Sequence, residues 1–209
     1  YVVDTMGGSN AFQRLISDSA KGSQGIVNLA LSPEPGATPV GTTFSDIFAN
    51  FSAAATLDSN QLGLGFSNLD LAFGCSSTIC RIQYSGFNDT WSEMARSGVQ
   101  EIEGWGVRAY RYTGGTGAQL SIRVQPSESG FMGSLLQRDS STGTWSISNM
   151  VVDPTSSDLL GLVQSFGSDI DDVWVIVRFE SSIGDCDYAY ARCGPLPPDG
   201  YPTASLEAV

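Results

Sequence analysis

Histidine is absent from all 209 residues of the chain. Its absence excludes Ser-His-Asp and Cys-His catalytic arrangements and the HExxH zinc helix, and with them the usual proton carrier at neutral pH. Lysine is scarce too, since Lys21 is the sole lysine and the formal net charge is −12. Nucleic-acid binding depends on clustered Lys and Arg. We therefore exclude DNA and RNA as partners and expect no enzymatic activity.

Long apolar runs and charged residues are also missing. No apolar stretch approaches the roughly 18 residues that cross a bilayer, so we predict no membrane span. Charged residues make up 15% of the chain, against about 25% in typical domains. Ser, Thr, Asn, Gln and Gly must then supply the polar surface, a composition typical of secreted or cell-surface proteins. Tyr1 begins without a signal peptide, and we expect processing from a larger precursor.

Four cysteines form two close pairs, Cys75 with Cys80 and Cys186 with Cys193. Three pairings are possible, and the simplest joins each close pair and stabilises the fold by about 2–3 kcal/mol. A four-cysteine zinc site is the alternative, although its ligands usually lie closer together in the sequence. We predict two local disulfides, which indicate an oxidising, extracellular compartment.

Two N-glycosylation sequons begin at Asn50 and Asn88. Both are compatible with an extracellular glycoprotein. Asn50 is the weaker candidate because it falls within a predicted helix.

Residues 1–72 read as a helical segment. Ser9 or Asn10 begins a first helix, Ser23 begins a second, and the Thr42-Thr43 pair caps a third. The apolar residues of the third helix recur at the spacing of one buried face; they are Phe44, Ile47, Phe48, Phe51, Ala54 and Ala55.

Residues 73–194 change to a period of two, which is typical of strands. In one of these strands Leu120, Ile122 and Val124 share a face, and in another Val173, Val175 and Val177 do. The predicted strands are 81–87, 105–113, 119–125, 131–138, 144–151, 159–166 and 173–180. Strands with one apolar face pair as two layers, so we predict a mainly β fold, an antiparallel β-sandwich with a small helical N-terminal part. Residues 195–209 form a Pro-rich extended tail.

Several motifs occur in an order that resembles the C-terminal half of secreted zinc metallopeptidase-like proteins of the immune-inhibitor and hyicolysin type. The motifs are Gly7-Gly8 with Phe12, Leu15 and Ile16; GIVNLAL at 25–31; TFSDIF at 43–48 with Ala54 and Leu57-Asp58; LGFSNLDL at 64–71; and DVWVIV at 172–177. The resemblance implies the helices and β-sandwich that follow the zinc site of these proteins. Their zinc ligands would lie upstream of Tyr1, so no catalytic residue is carried over.

An acidic loop at 168–172 is a possible structural calcium site, because crowded carboxylates chelate this ion. Asp169, Asp171 and Asp172 are its candidate ligands. A solvated loop before a strand is the alternative. Glu101 and Glu103 could pair as acid and base for glycoside cleavage, but a solvated strand edge is the better interpretation.

Aromatic residues could form a platform for glycans on a sandwich face. The candidates are Trp91, Trp105, Trp145, Trp174, Tyr84, Tyr110 and Tyr112. Burial in the core or in an interface is favoured, since Trp174 and Ile176 make their strand apolar on both sides.

The composition, the doubly apolar strand and the Pro-rich tail together predict an extracellular, non-catalytic structural protein that assembles with itself into a layer or filament. The tail could dock on the sheet edge of a neighbour. Other extracellular proteins are also possible partners. The alternatives are an accessory C-terminal domain of a secreted zinc metallopeptidase and a carbohydrate-binding module.

Overall fold

A computed structural model describes residues 9–20, 23–33, 40–57, 89–90, 95–96, 100–102, 106–180, 186–187, 192–193 and 202–208. The chain divides into two compact units, Tyr1–Tyr84 and Ser85–Val209. The first is helical in its described part, and the second carries the strands.

The first unit contains helices α1 (Ser9–Ser17), α2 (Ser23–Ala30) and α3 (Phe44–Leu57). Their apolar faces meet in a small core that includes Ala11, Leu29 and Ile47. These are the three helices that the sequence pattern predicts.

Helix α3 begins with a reciprocal cap. The Asp46 backbone N–H donates to the Thr43 hydroxyl at 3.1 Å, and the Thr43 backbone N–H donates to the Asp46 carboxylate at 3.0 Å. Hydrogen bonds from Thr43 hold the pKa of Asp46 below its ordinary value. Two of the backbone donors that a helix N-terminus leaves unpaired are satisfied in this way.

The second unit is built from thirteen strands in the described part of the chain. They are β1 (Asp89–Thr90), β2 (Ala95–Arg96), β3 (Gln100–Glu101), β4 (Gly106–Thr113), β5 (Ala118–Pro126), β6 (Phe131–Asp139), β7 (Trp145–Asn149), β8 (Val151–Val152), β9 (Leu159–Phe166), β10 (Ile170–Phe179), β11 (Cys186–Asp187), β12 (Arg192–Cys193) and β13 (Thr203–Ala208).

Strand pairing arranges eleven of these strands into two layers. Layer A runs β7-β6-β10-β4-β1, and layer B runs β8-β9-β5-β13, with β2 and β3 on the far side of β13. A single parallel bridge between Phe166 and Ile170 joins the layers. The protein is therefore mainly β and sandwich-like, with a small helical part, as the sequence predicts. The sheet is mixed rather than purely antiparallel, since β1 also runs parallel to β4.

The main core lies between the two layers. Leu120, Ile122 and Val124 of β5 face it, each no more than 2% exposed. The same alternation buries Val173, Val175 and Val177 of β10. Both strand faces that the sequence predicts are confirmed. Ile176, on the opposite face of β10, has no exposure either, so β10 is buried on both sides within one chain.

The C-terminal segment differs from the expected tail. Thr203–Ala208 is strand β13, paired with β5 over five residues, and its Ala204, Leu206 and Ala208 lie in the core. The residues before this strand are rich in proline, which is why the sequence analysis predicts an extended tail. The alternation of small apolar and polar residues from Ala204 to Ala208 nevertheless fits a strand with one buried face.

A single residue, Met150, connects β7 to β8 at one edge of the sandwich. Met150 follows β7 of layer A and precedes β8 of layer B, and its backbone N–H donates to the Gly133 carbonyl at 2.9 Å. Its side chain lies against Gly133 and Gly161, one from each layer. The chain therefore crosses between the layers at this edge.

Candidate functional site

Three exposed aliphatic side chains cluster on one face of β8 and β9, and we call them the β8–β9 patch. Their exposed fractions are 67% for Val151, 39% for Leu160 and 50% for Leu162. The register places Val151 opposite Leu160. Apolar side chains grouped on a surface mark interaction sites more often than isolated ones do.

Strand alternation explains why these leucines are exposed. Leu159 and Val163 face the core and are fully buried, so Leu160 and Leu162 between them must face outward. The segment 159–163 carries leucine or valine on both faces. The patch was therefore missed by sequence reasoning, and the double apolar character of 159–163 was the available signal.

A groove of about 640 Å³ adjoins the patch. Gly161 has no side chain, so the groove reaches between the strands as far as Leu135 and Ile122, which line it. The other lining residues come from β5, β7, β8, β9 and β13; they are Ser121, Arg123, Ser148, Asn149, Val151, Leu160, Leu162 and Glu207. The surface is thus an apolar groove with a polar rim.

The rim carries charges of both signs. Arg123 lies opposite Glu207 in the β5–β13 register. The Arg123 guanidinium also donates to Asp158, with Nε 2.5 Å from Oδ2, and pairs with it in a salt bridge. The side chain of Arg123 is 48% exposed, whereas that of Asp158 is 7% exposed. The buried carboxylate orients the arginine at the surface.

The acidic loop forms ion pairs with arginines instead of the expected calcium site. Asp172 accepts two hydrogen bonds from Arg111, at 3.0 and 2.6 Å, and Asp171 accepts two from Arg138, at 2.9 and 2.6 Å. The guanidinium of Arg138 holds the pKa of Asp171 below its usual range.

Asp169, the third candidate ligand, lies in the turn between β9 and β10. Its carbonyl accepts from the Ser140 backbone N–H at 2.8 Å. Within the described ranges no group of three His, Cys, Asp or Glu side chains is placed to hold a metal ion. The predicted grouping of Asp169, Asp171 and Asp172 around calcium is therefore not assembled, because strand register brings arginines to two of them.

The predicted disulfides and sequons fall partly outside the described residues. Cys75, Cys80 and Asn88 lie outside them. Cys186 is paired with Cys193 in the antiparallel β11–β12 ladder, and opposite residues in such a ladder have Cα atoms about 4.5–5.5 Å apart, within disulfide range. The disulfides stay a prediction.

Asn50 is used by the fold. It lies in α3, half-buried, and its side-chain amide donates to the Val40 carbonyl at 2.9 Å. That contact makes Asn50 a poor glycan acceptor.

The predicted aromatic platform does not form as one surface in the described region. Tyr110 and Tyr112 are buried in the main core, while Trp174 lies under the Arg111 guanidinium, 5.4 Å from the ring centre. Tyr84, Trp91 and Trp105 lie outside the described residues. None of the described residues that line the groove is aromatic.

None of the helices in the described ranges is both long and apolar enough to cross a membrane.

Comparison with known proteins finds no matching family model and no matching curated protein. Solved structures give distant fold matches. A pre-peptidase C-terminal domain of a collagenase from Bacillus anthracis is 12% identical, with a TM-score of 0.34, over 59% of this chain and 90% of that one. The surface-associated copper-binding protein CorA of Methylomicrobium album BG8 is 10% identical, with a TM-score of 0.35, over 60% of this chain and 98% of that one.

A third match is the Clostridium thermocellum xylanase 10B fragment that carries CBM22-1 and GH10 modules. It is 12% identical, with a TM-score of 0.23, over 56% of this chain and 21% of that one. These matches are too distant to transfer an activity. No family model matches, so the resemblance to the metallopeptidase-like family stays a prediction.

Proposed function

We propose that this chain is a non-catalytic structural module of an extracellular protein, and that it associates with copies of itself through the β8–β9 patch and the adjoining groove. The observation that carries the proposal is the exposure of Val151, Leu160 and Leu162 beside a groove of about 640 Å³. The absence of histidine and the low charge content support the non-catalytic, extracellular part.

The rim favours a second copy as the partner. A two-fold interface brings the same surface of each copy together, so residue i meets residue j and j meets i. Arg123 and Glu207 lie opposite each other on this surface. A two-fold axis near them sets Arg123 of one copy beside Glu207 of the other, so the rim is self-complementary in charge.

Two features that first indicated self-assembly are used within the chain. The second face of β10 is buried at Ile176, and the tail pairs with β5 as β13. The proposal therefore rests on the β8–β9 patch rather than on these two features. A glycan partner is disfavoured because the described lining of the groove offers no aromatic ring for a sugar to stack on.

Sedimentation of the full chain over a range of concentrations tests the proposal. The patch is small against the roughly 800 Å² per partner of a standard interface, so we expect weak dimers that populate above about 100 µM. The charge of −12 repels a second copy, and added salt screens that repulsion. Salt also screens the attraction between Arg123 and Glu207 across the interface, so association that persists at high salt is carried by the apolar side chains of the patch.

Leu162→Glu is the test variant and Met132→Glu is its matched control. Met132 is 41% exposed but lies on β6 of layer A, away from the groove. We expect Leu162→Glu to weaken association at least tenfold and Met132→Glu to leave it within twofold. Circular dichroism confirms that both variants are folded. A wild-type chain that stays monomeric at every concentration and salt level refutes the proposal.

An accessory domain of a secreted zinc peptidase is the second candidate, and the order of motifs from Gly7-Gly8 to 172–177 favours it. On this view the β8–β9 patch contacts the catalytic part of the same precursor. An HExxH motif in the longer gene product, together with tenfold weaker binding of that part by Leu162→Glu, would support this candidate over self-association.

A further inference from the structure

We propose that strand β13 exchanges between copies of this chain, so that Thr203–Ala208 of one copy fills the position beside β5 in layer B of another. The proposal deepens the self-association proposed above and rests on it, because the copies must first meet. Strand β13 would then link one subunit to the next.

The first observation is that β13 is internal to layer B. It pairs with β5 from Ala204 to Ala208, and on its other side with β2 and β3 over two residue pairs each. Without β13, the edge of β5 would present unpaired backbone groups, which is the template that strand addition requires. Layer B therefore needs a strand here.

The second observation is that β13 buries little side-chain volume. Its inward residues are Ala204, Leu206 and Ala208, each no more than 3% exposed, and Leu206 alone is large. The outward residues Ser205 and Glu207 are half-buried. A strand with one large inward side chain leaves and enters the sheet with less disruption of the core than one with three.

The third observation is the start of the strand, which fixes its register independently of the connection. The Ser127 backbone N–H donates to the Thr203 carbonyl at 2.8 Å, and the Thr203 backbone N–H donates to the Ser127 hydroxyl at 2.9 Å. The Ile102 backbone N–H donates to the Pro202 carbonyl at 2.9 Å. A strand from a second copy would meet the same partners and take the same register.

The fourth observation is the sequence that precedes β13. Residues 194–202 contain Pro195, Pro197, Pro198 and Pro202, and a proline-rich segment of this length spans about 28 Å when extended. A domain the size of the second unit has a radius of gyration of about 14 Å. When extended, a tether of this length is about twice that radius.

The same tether reduces the advantage of intrachain pairing. Exchanged and intrachain strands make identical contacts with layer B, so the balance depends on protein concentration and on how readily the connection folds back. Prolines stiffen a linker, and the effective concentration of a tethered strand falls as its linker lengthens. Both effects favour exchange in a concentrated extracellular layer.

A mixed cross-linking experiment tests the exchange. Ser205 of β13 lies opposite Gln125 of β5, so full-length Ser205→Cys and Gln125→Cys chains are mixed, unfolded and refolded together at high concentration, and oxidised. We expect a covalent heterodimer on a non-reducing gel. The matched control mixes Ser205→Cys with Ser121→Cys, which lies on the same face of β5 but four residues out of register. The test pair should exceed the control at least fivefold.

A second pair, Thr203→Cys with Ser127→Cys, tests the same strand pairing if either first variant fails to fold. A chain that carries both introduced cysteines reports pairing within one chain. The exchange is overturned if this chain forms its internal cross-link while the mixture gives no more heterodimer than the control. The experiment is repeated with Leu162→Glu in both chains. If the cross-links persist and Leu162→Glu leaves association unchanged, the exchange is supported and the patch is refuted. If Leu162→Glu abolishes association and the wild-type background gives no cross-links, the patch is supported and the exchange is refuted.

Discussion

The thioether of Met150 occupies the space where a side chain on Gly133 would lie. The two residues are also joined by a hydrogen bond from the Met150 N–H to the Gly133 carbonyl, at 2.9 Å. Gly133 belongs to β6, and Met150 is the residue at which the chain leaves layer A for layer B. The absence of a Cβ on Gly133 thus lets the connection close over the edge of the sandwich.

Gly133→Ala should destabilise the protein by about 1–3 kcal/mol, the usual cost of overpacking a core. Chemical denaturation measures the loss. Met150→Ala creates space at the same point, so the double variant should lose less than the sum of the two single losses, because contacting residues are not additive. Strict additivity would contradict the contact.

Gly167→Ala and Gly143→Ala form a matched pair for backbone crowding. Both glycines have positive φ, +95° and +69°, so alanine costs about 1–3 kcal/mol in backbone strain at either position. A Cβ at Gly143 meets no atom, whereas one at Gly167 collides with the backbone of Gly115. We expect Gly143→Ala to fold with a modest loss and Gly167→Ala to lose clearly more stability. Equal unfolding midpoints for the two variants would show that the approach of Gly115 is not tight.

Acid should weaken the β6–β7 turn through Asp139. The Ser141 hydroxyl and the Thr142 backbone N–H donate to its carboxylate and lower its pKa from 3.8 to about 2. A group whose pKa is lower in the folded state stabilises it above the unfolded-state pKa. That stabilisation is therefore lost as the pH falls from about 4 towards 2.

A carbon-detected NMR titration should give a pKa near 2 for Asp139. Asp139→Asn should flatten the dependence of stability on pH in that range, and Ser141→Ala should raise the pKa part of the way. A titration midpoint near the ordinary value of 3.8 would rule out the hydrogen-bonded turn.

Burial should decide the worth of two arginine–carboxylate pairs. The side chains of Arg178 and Glu180 are 4% and 6% exposed, whereas those of Arg138 and Asp171 are 39% and 35% exposed. Breaking a buried pair leaves an uncompensated charge and costs about 3–5 kcal/mol, while exposed pairs contribute about 0–1 kcal/mol. Glu180→Gln should therefore lower the free energy of unfolding much more than Asp171→Asn. The reverse order in urea denaturation would contradict the burial of Arg178.

Peptide mapping under non-reducing conditions should recover Cys186 linked to Cys193, and Cys75 linked to Cys80. The first link follows from cross-strand pairing in β11–β12, and the second from proximity in the sequence. Four free thiols in protein purified from an oxidising compartment would remove the argument for an extracellular location that rests on cysteine.

The strands with a strict period of two were predictable from the sequence. Leu120, Ile122 and Val124 alternate with polar residues, so one face had to be buried, and the structure confirms it. The third helix was equally clear from its Thr43 cap. Local patterns of this kind depend on neighbours in the sequence and need no knowledge of the tertiary fold.

Features set by strand register were not predictable. Asp172 pairs with Arg111, 61 residues away, and Asp171 pairs with Arg138, 33 residues away. An acidic run in the sequence does not indicate such distant partners. A calcium site was therefore predicted there. The exposure of Leu160 and Leu162 likewise depends on which face of β9 the core covers.

The place of β13 in layer B also sets an order for folding during synthesis. Its partner β5 is made early, but Thr203 follows the end of β10 only after the long segment 180–202. Layer B therefore cannot close while the ribosome is still translating residues before Ala208. Until then β5 lacks its partner strand, and the chain holds an incomplete sheet. Closure of layer B therefore follows the synthesis of the other described strands of the second unit.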